Sequence, residues 1–157
     1  MTLYHASPFK FEHPDIYHSR EHLDFGKGFY LTKMREQAEK YALRFTLRGK
    51  KAYIYTYELN DDNLTHFRIK EFLSYNDEWL NYVGACRLGK KCDLYDLISG
   101  GIADDKVFNT IDLYFAGEIS KEEALGRLKY ERPNHQICIL NQGIAELLVL
   151  VDVEEFK

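Results

Sequence analysis

The sequence predicts an α+β domain. Segments rich in aromatic and β-branched residues lie toward both ends of the chain, and segments whose apolar residues recur at helical spacing lie between them. A chain of 157 residues with 45% hydrophobic residues has the length and composition of one domain with one core. We therefore expect a single domain over residues 1–157, with a helical insertion at 71–133.

The first predicted elements are a strand, a loop and a turn. Residues 2–5 are typical of a short opening strand, and the polar residues 6–24 indicate a surface loop. Residues 25–32 combine glycines with aromatic residues, as in a tight turn that leads into a buried strand. By their spacing alone, Gly26 and Gly28 match neither the Walker phosphate-loop pattern nor the Rossmann dinucleotide-binding pattern, and they indicate only this turn. Thr32 is the expected N-cap of the helix that follows.

The clearest helix and strand signals come next. A helix is predicted over residues 33–48, where apolar or small side chains form one stripe: Met34, Ala38, Tyr41, Ala42 and Phe45. Gly49 ends it, and residues 52–59 form a run of strand-favouring residues. The alternating tyrosines of that run, Tyr53, Tyr55 and Tyr57, are expected to pack across strands rather than to stack on nucleic-acid bases.

The middle of the chain is predicted to be helical, and its end to return to strands. Trp79, Tyr82, Val83 and Cys86 share one helical face, a second helix is expected over residues 105–116, and Ser120 begins a capping box for a third. Residues 136–140 and 147–153 are apolar runs typical of strands. Strands at both ends would therefore enclose the helices.

Charge and hydropathy narrow the classes of protein. The 21 Lys and Arg residues and 25 Asp and Glu residues give a net charge of −4, whereas a general binder of nucleic-acid backbones is usually basic. No apolar run approaches the roughly 18 residues that cross a membrane, and the first residues lack a secretory signal pattern. We expect a soluble, cytoplasmic protein with no membrane partner.

Cysteines and histidines predict no metal site. The cysteines include no CxxC pair and are expected to be reduced and structural: Cys86, Cys92 and Cys138. Four histidines near the amino terminus lie in a polar segment without cysteines, so solvated side chains are expected: His5, His13, His18 and His22.

Three separated segments resemble, in the same order, motifs of the ADP-ribosyltransferase superfamily. The first is Leu3-Tyr-His-Ala-Ser7, similar to Tyr/Trp-His-Gly-Ser/Thr, and the second is Phe25-Gly-Lys-Gly-Phe-Tyr-Leu-Thr32, similar to Phe-Gly-Lys-Gly-Ile-Tyr-Phe. The third is Asn134-His-Gln-Ile-Cys-Ile139, where a Glu normally begins a late strand. Tyr41 stands at the offset of a second stacking tyrosine. The resemblance is to the diphtheria-toxin and poly(ADP-ribose) polymerase-like branch, which has a His-Tyr-Glu triad.

This resemblance implies a split antiparallel sheet around an NAD⁺ cleft. The implied catalytic residues are His5, Tyr30 and Gln136, and the implied NAD⁺-binding residues are His5, Ala6, Ser7, Gly28, Tyr30 and Tyr41. His5 would bond a ribose hydroxyl, the Ala6 backbone would hold the carboxamide, and the two tyrosines would enclose the nicotinamide ring. No metal is implied. The chain also resembles an uncharacterised bacterial family placed among toxin–antitoxin or phage-defence genes, which implies a protein or nucleic-acid acceptor and a neutralising antitoxin.

Three positions depart from the motifs. Ala6 replaces a Gly, Ala38 replaces a Ser that bonds the carboxamide, and Gln136 replaces the Glu. A Gln forms hydrogen bonds but carries no charge and cannot act as a base. We therefore expect mono-ADP-ribosyl transfer without chain elongation, in which either the acceptor activates itself or a neighbouring residue supplies the charge. His135 is the nearest candidate for that residue, although its position favours an ordinary surface-loop histidine. One alternative is a non-catalytic module that binds NAD⁺ or ADP-ribose, and another is a structural or partner-binding protein whose exposed aromatic residues form an interface and which binds no dinucleotide.

Overall fold

The computed structural model describes residues 1–19, 23–90, 95–129 and 134–157. The predicted features at His22 and Cys92 lie outside these residues. The strands are β1 (Thr2–Ser7), β2 (Phe29–Leu31), β3 (Ala52–Glu58), β4 (Ile69–Glu71), β5 (Leu97–Gly100), β6 (Gln136–Ile139) and β7 (Val149–Phe156). The helices are α1 (Arg35–Thr46), α2 (Asp77–Arg87), α3 (Asp105–Phe115), α4 (Lys121–Leu128) and α5 (Gln142–Ala145), with a 3-10 turn at Asp61–Leu64. The α+β class is confirmed.

The first sheet is antiparallel, in the order β1-β3-β7. Its central strand is the tyrosine-rich run, because β-branched and aromatic side chains fit a pleated surface that is covered on both faces. Tyr55 and Tyr57 are 0% and 2% exposed, and their rings stack at a centroid distance of 6.2 Å. The prediction that these tyrosines pack rather than bind bases is confirmed for Tyr55 and Tyr57.

The second sheet is mixed, in the order β2-β6-β5-β4. Strand β6 is antiparallel to both of its neighbours, β2 and β5, whereas β4 and β5 are parallel. This parallel pair differs from the expected wholly antiparallel arrangement. The two sheets meet at an isolated antiparallel bridge, where Tyr4 and Thr32 exchange backbone hydrogen bonds of 2.8 and 2.9 Å.

Three apolar clusters fill the space around the sheets. The cluster shared by both sheets includes Leu3 and Tyr55 of the first and Phe29 and Ile139 of the second. A second cluster joins the other face of the second sheet to α2, α3 and α4, and a third lies where α1 covers β1 and β3. Because side chains alternate along a strand, neighbouring residues of β1, β2 and β6 belong to different clusters.

The expected helical insertion at 71–133 also contains a strand. Strand β5 lies within it and pairs with both β4 and β6, so this segment supplies an inner strand of the second sheet. Strand β5 is Leu97-Ile-Ser-Gly100, and its two consecutive apolar residues are too few to show a period, which is why periodicity missed it.

Two capping predictions have opposite outcomes. Ser120 caps α4 as expected, accepting a hydrogen bond from the Glu123 N–H at 3.1 Å. The Thr32 prediction is wrong, because Met34 is the N-cap of α1 and the Thr32 hydroxyl accepts instead from the Met34 N–H. Thr32 is held in its extended conformation by the bridge to Tyr4, which moves the start of the helix onward.

The expectation of reduced cysteines is confirmed for Cys138 and wrong for Cys86. Cys86 takes part in a disulfide bond, which corrects the expectation of a reduced thiol there, whereas Cys138 is free and buried. Oxidation needs a partner sulfur close in space, which sequence spacing alone did not indicate. Within the described ranges, no helix has the length and apolar character needed to cross a membrane.

Candidate functional site

The first two motifs meet where the sheets join. His5 lies one residue after the Tyr4–Thr32 bridge, and its Nδ1 is 2.6 Å from the backbone carbonyl oxygen of Tyr30. A carbonyl oxygen only accepts, so Nδ1 is the protonated nitrogen of the ring. In the neutral imidazole Nε2 is then a hydrogen-bond acceptor, which suits it to a hydroxyl donor.

Aromatic rings keep His5 uncharged. Its imidazole stacks on Phe29 at a centroid distance of 4.2 Å and lies near Phe11 and Tyr55. Burial lowers the pKa of His5 to about 4, and the hydrogen bond to the Tyr30 carbonyl offsets only part of this shift. At neutral pH this histidine is therefore neutral, and the prediction of a solvated side chain is wrong for His5, whereas His13 and His18 are exposed as expected.

Tyr30 is anchored by its hydroxyl. The phenol donates to the Gly26 carbonyl at 2.5 Å and accepts from the Phe25 N–H at 3.1 Å. This return of the side chain onto the preceding turn is possible because Gly26 has a φ of 87°, which favours glycine. Burial raises the pKa of Tyr30 well above its usual range, so the phenol stays protonated. Its role is confined to the ring and to the carbonyl that bonds His5.

The remaining residues of the first two motifs have structural partners. The Ser7 hydroxyl accepts from the Phe9 N–H at 3.1 Å in a local turn, and Ala6 packs beneath α1. Ala6 is extended and paired with Ile54, a conformation that any residue adopts, so its replacement of Gly causes no strain. A Cβ on Gly28 would lie 2.6 Å from both the Cys138 sulfur and the Ile139 carbonyl oxygen. Close packing against β6 therefore requires that glycine.

Tyr41 lies on the exposed side of α1. The helix packs on the first sheet through Ala38 and Ala42, which are 3% and 0% exposed, whereas Tyr41 is 43% exposed. Its ring contacts Phe45 edge-on at 5.2 Å, and the Arg44 guanidinium lies 5.8 Å from its centroid. Tyr41 and Tyr30 make no ring contact with each other within the described residues.

Gln136 begins β6 with its amide turned into the protein. Its Nε2 donates to Asp24 Oδ2 at 3.0 Å and to the Gly101 carbonyl at 3.2 Å. The side chain is 7% exposed, and its Oε1 accepts no hydrogen bond from the described part of the chain. Gly101 also accepts from the Trp79 indole at 3.2 Å. The amide nitrogen of Gln136 is thus hydrogen-bonded within the protein, and the amide oxygen is available as an acceptor.

The carboxylate that holds Gln136 was not predicted. Asp24 is 6% exposed, and its Oδ1 lies 2.8 Å from Nε and 2.5 Å from Nη2 of Arg87. Its Oδ2 also accepts from the Ala103 N–H at 2.9 Å. The only sequence signal was an acidic residue next to the Phe-Gly turn; the partners come from segments 63 and 79 residues away.

His135 does not supply a charge to Gln136. Its backbone is clamped by the Gln37 amide, which donates to the His135 carbonyl at 2.5 Å and accepts from its N–H at 3.1 Å. Burial, and then Lys33, lower the pKa of His135, whereas Glu71 opposes them. Its Nδ1 is buried and has no hydrogen-bond partner in the described structure. The group with a negative charge beside Gln136 is Asp24 instead.

The predicted residues form two connected groups. Tyr30 and Cys138 pack on the helical face of the second sheet, and Gln136, two residues before Cys138 in β6, lies on that same face. His5 stacks instead on Phe29 of the core between the sheets, and it reaches the first group through the Tyr30 carbonyl. Nowhere in the described ranges do three or more metal-ligating side chains cluster.

These features define an α+β protein in which a neutral His5 lies beside the junction of the two sheets, and the Asp24–Arg87 pair holds Gln136 on the helical face of the second sheet. The chain belongs to the family described as Protein of unknown function (DUF3990), which matches residues 1–150. Neither the curated proteins nor the solved structures contain a match to the chain.

Proposed function

We propose that this protein is an NAD⁺-dependent mono-ADP-ribosyltransferase that transfers ADP-ribose to a protein or nucleic-acid acceptor. The observation that carries the proposal is the 2.6 Å contact between His5 and the Tyr30 carbonyl, because it joins two motifs that resemble those of ADP-ribosyltransferases. An ADP-ribosyltransferase-like fold is part of the proposal, and it is supported by two sheets that diverge from a single bridge at Tyr4 and Thr32.

NAD⁺ would be held by contacts that need no charge on the protein. His5 offers Nε2 to a ribose hydroxyl, Tyr30 offers an anchored ring for the nicotinamide, and Gln136 offers Oε1 to a hydroxyl of the nicotinamide ribose. Tyr41 would provide the opposite face for the nicotinamide ring, because it is exposed on α1. Such positioning favours cleavage of the bond between ribose and nicotinamide, which depends on a fixed, water-excluding geometry.

The reaction would be a single transfer. Gln136 cannot remove a proton from an incoming hydroxyl, so the acceptor must be nucleophilic by itself or be activated by its own groups. This requirement excludes efficient elongation of an ADP-ribose chain. The proposal includes a bacterial toxin or defence role in the cytoplasm, with a neutralising antitoxin as partner.

The second candidate is a non-catalytic module that binds NAD⁺ or ADP-ribose. It is favoured by one observation: the Gln136 amide is uncharged and its nitrogen is fully used by Asp24 and Gly101. Such a module would bind the dinucleotide without transferring ADP-ribose.

Labelled NAD⁺ separates the two functions. The purified protein is incubated with NAD⁺ labelled in the adenylate and with host-cell extract, which is then divided into protein and nucleic-acid fractions. We expect label in one fraction with the wild type, and loss of that label with Tyr30→Ala. Leu47, the C-cap of α1, is 77% exposed, and Leu47→Ala is a control that should label normally.

Binding is measured separately. A rise in melting temperature with millimolar NAD⁺ but no label supports the non-catalytic module, since a ligand that binds the folded state stabilises it. Absence of both the melting shift and the label would overturn both candidates.

A further inference from the structure

The orientation of the Gln136 amide is dictated by its neighbours. Its inner side faces a carboxylate oxygen of Asp24 at 3.0 Å and the Gly101 carbonyl at 3.2 Å, and both of these atoms accept hydrogen bonds. Only the amide nitrogen satisfies two acceptors, so the nitrogen must point inward. The oxygen Oε1 is consequently turned away from Asp24 and is the end that a ligand would meet.

Both oxygens of the Asp24 carboxylate have partners within the protein. Arg87 binds one of its oxygens through two nitrogens, and the Ala103 N–H binds the other. The guanidinium also lies over the Phe108 ring at 4.0 Å, and the Arg87 side chain is 23% exposed. A buried carboxylate needs such partners, because an unpaired charge inside a protein is strongly destabilising. The carboxylate is therefore a fixed negative charge one hydrogen bond away from Gln136.

A glutamate at position 136 would be incompatible with this arrangement. Its carboxylate would lie about 3 Å from that of Asp24 and would face a carbonyl oxygen as well, and two carboxylates at that distance cannot both remain charged without strong repulsion. The glutamine and the aspartate thus form a matched pair: the charge stands at residue 24, and residue 136 is the neutral partner.

We propose that Asp24 is a positioning residue. Its carboxylate supplies the fixed negative charge of the site and holds Gln136 so that Gln136 Oε1 accepts a hydrogen bond from the nicotinamide ribose of NAD⁺. This inference rests on the proposed function for the identity of the ligand. It reverses the simplest interpretation of Gln136, according to which restoring a glutamate would restore activity.

The first test is a double-mutant cycle of four proteins: the wild type, Asp24→Asn, Gln136→Glu and Asp24→Asn with Gln136→Glu. Both single variants should lower the melting temperature. The double variant should melt roughly 5 °C above Gln136→Glu, because the two carboxylates no longer face each other. Recovery is expected to be partial, since an amide at residue 24 serves the Ala103 N–H less well than a carboxylate does. Strictly additive changes in melting temperature would overturn the pairing.

The second test measures NAD⁺ affinity in the same proteins by titration calorimetry. Asp24→Asn and Gln136→Glu should each weaken NAD⁺ binding by about tenfold or more, the equivalent of one good hydrogen bond to a ligand. Asp96 supplies the matched control. It too binds an arginine and an amide side chain, Arg68 and Asn141, both at 3.2 Å. Asp96→Asn should lower the melting temperature but leave the NAD⁺ affinity within about twofold.

The outcomes distinguish this inference from the proposed function. If the wild type does not bind NAD⁺, the proposed function fails and the ribose contact fails with it, whatever the cycle shows. If the wild type binds NAD⁺ and Gln136→Glu binds it equally well in a stably folded protein, the Asp24 inference alone is overturned. If Gln136→Glu cannot be isolated but the double variant folds, the pairing is supported directly.

Discussion

The Nδ1 atom of His5 lies 2.6 Å from the backbone carbonyl oxygen of Tyr30, although 25 residues separate them in the chain. This hydrogen bond links β1 of one sheet to β2 of the other, beside the Tyr4–Thr32 bridge. It fixes the protonated nitrogen of His5, and it connects a residue of the core between the sheets with one on the helical face.

Stability should depend on the protonation of His5. The pKa of His5 is about 4 in the folded protein against 6.5 as its ordinary value, so the unfolded chain takes up the proton first as the pH falls. The contribution of neutral His5 to the free energy of unfolding is therefore fully present above pH 6.5 and is lost progressively down to about pH 4. It amounts to roughly 3 kcal/mol at most. Urea unfolding of the wild type and of His5→Phe at several pH values measures it.

The variant His5→Phe preserves the stack on Phe29 and should flatten the stability profile between pH 6.5 and 4. The exposed His66 provides a control, and His66→Gln should follow the wild-type profile. A profile for His5→Phe as steep as that of the wild type would show that other groups cause the dependence. His135, whose pKa is also lowered by burial, would be the first of these to replace.

Adding one methyl group at Gly28 should destabilise the fold. The new Cβ would lie 2.6 Å from the Ile139 carbonyl oxygen, which is backbone and cannot move independently of β6. We expect Gly28→Ala to lower the free energy of unfolding by about 1–3 kcal/mol, measured by urea titration. Gly126 in α4 is the matched control: nothing lies within 4 Å of an added Cβ, so Gly126→Ala should stabilise by about 0.5–1 kcal/mol. Equal effects at both glycines would contradict the packing argument.

The Tyr30 hydroxyl should contribute to stability independently of its ring. Tyr30→Phe leaves the Gly26 carbonyl and the Phe25 N–H without the partner that each has now. An expected loss of about 1–3 kcal/mol in the free energy of unfolding follows from these unsatisfied groups. Tyr17 is 62% exposed, and Tyr17→Phe should leave the stability within about 0.5 kcal/mol. An unchanged stability for Tyr30→Phe would show that water replaces the phenol at both partners.

Tyr41 should affect NAD⁺ binding without affecting the fold. Its ring is 43% exposed, so Tyr41→Ala should change the melting temperature by no more than a few degrees. Loss of a stacking ring should weaken NAD⁺ binding by about tenfold, whereas Tyr41→Phe, which retains the ring, should bind normally. Titration calorimetry with NAD⁺ measures the difference. Wild-type affinity in Tyr41→Ala would remove this residue from the proposed site.

The sequence by itself determined the elements that depend on local chemistry. Helix α1, the tyrosine-rich strand β3, helix α3 and the Ser120 cap of α4 all lie where apolar spacing and capping residues indicated. The α+β class followed from the same patterns. The sequence also supplied His5, Tyr30 and Gln136 as candidates, although their proposed activity comes from the resemblance and stays a prediction.

Tertiary structure alone decided the partners. Strand β5 is recognisable only through its pairing with β4 and β6, because its two apolar residues, Leu97 and Ile98, are too few to show a period. The Thr32 prediction was wrong because a bridge to Tyr4 outweighs the local capping preference. The Asp24 carboxylate draws its partners from Arg87, Ala103 and Gln136, in three distant segments. Local patterns determine which element forms, whereas the burial of a charge is compensated by whichever groups the folded chain brings to it.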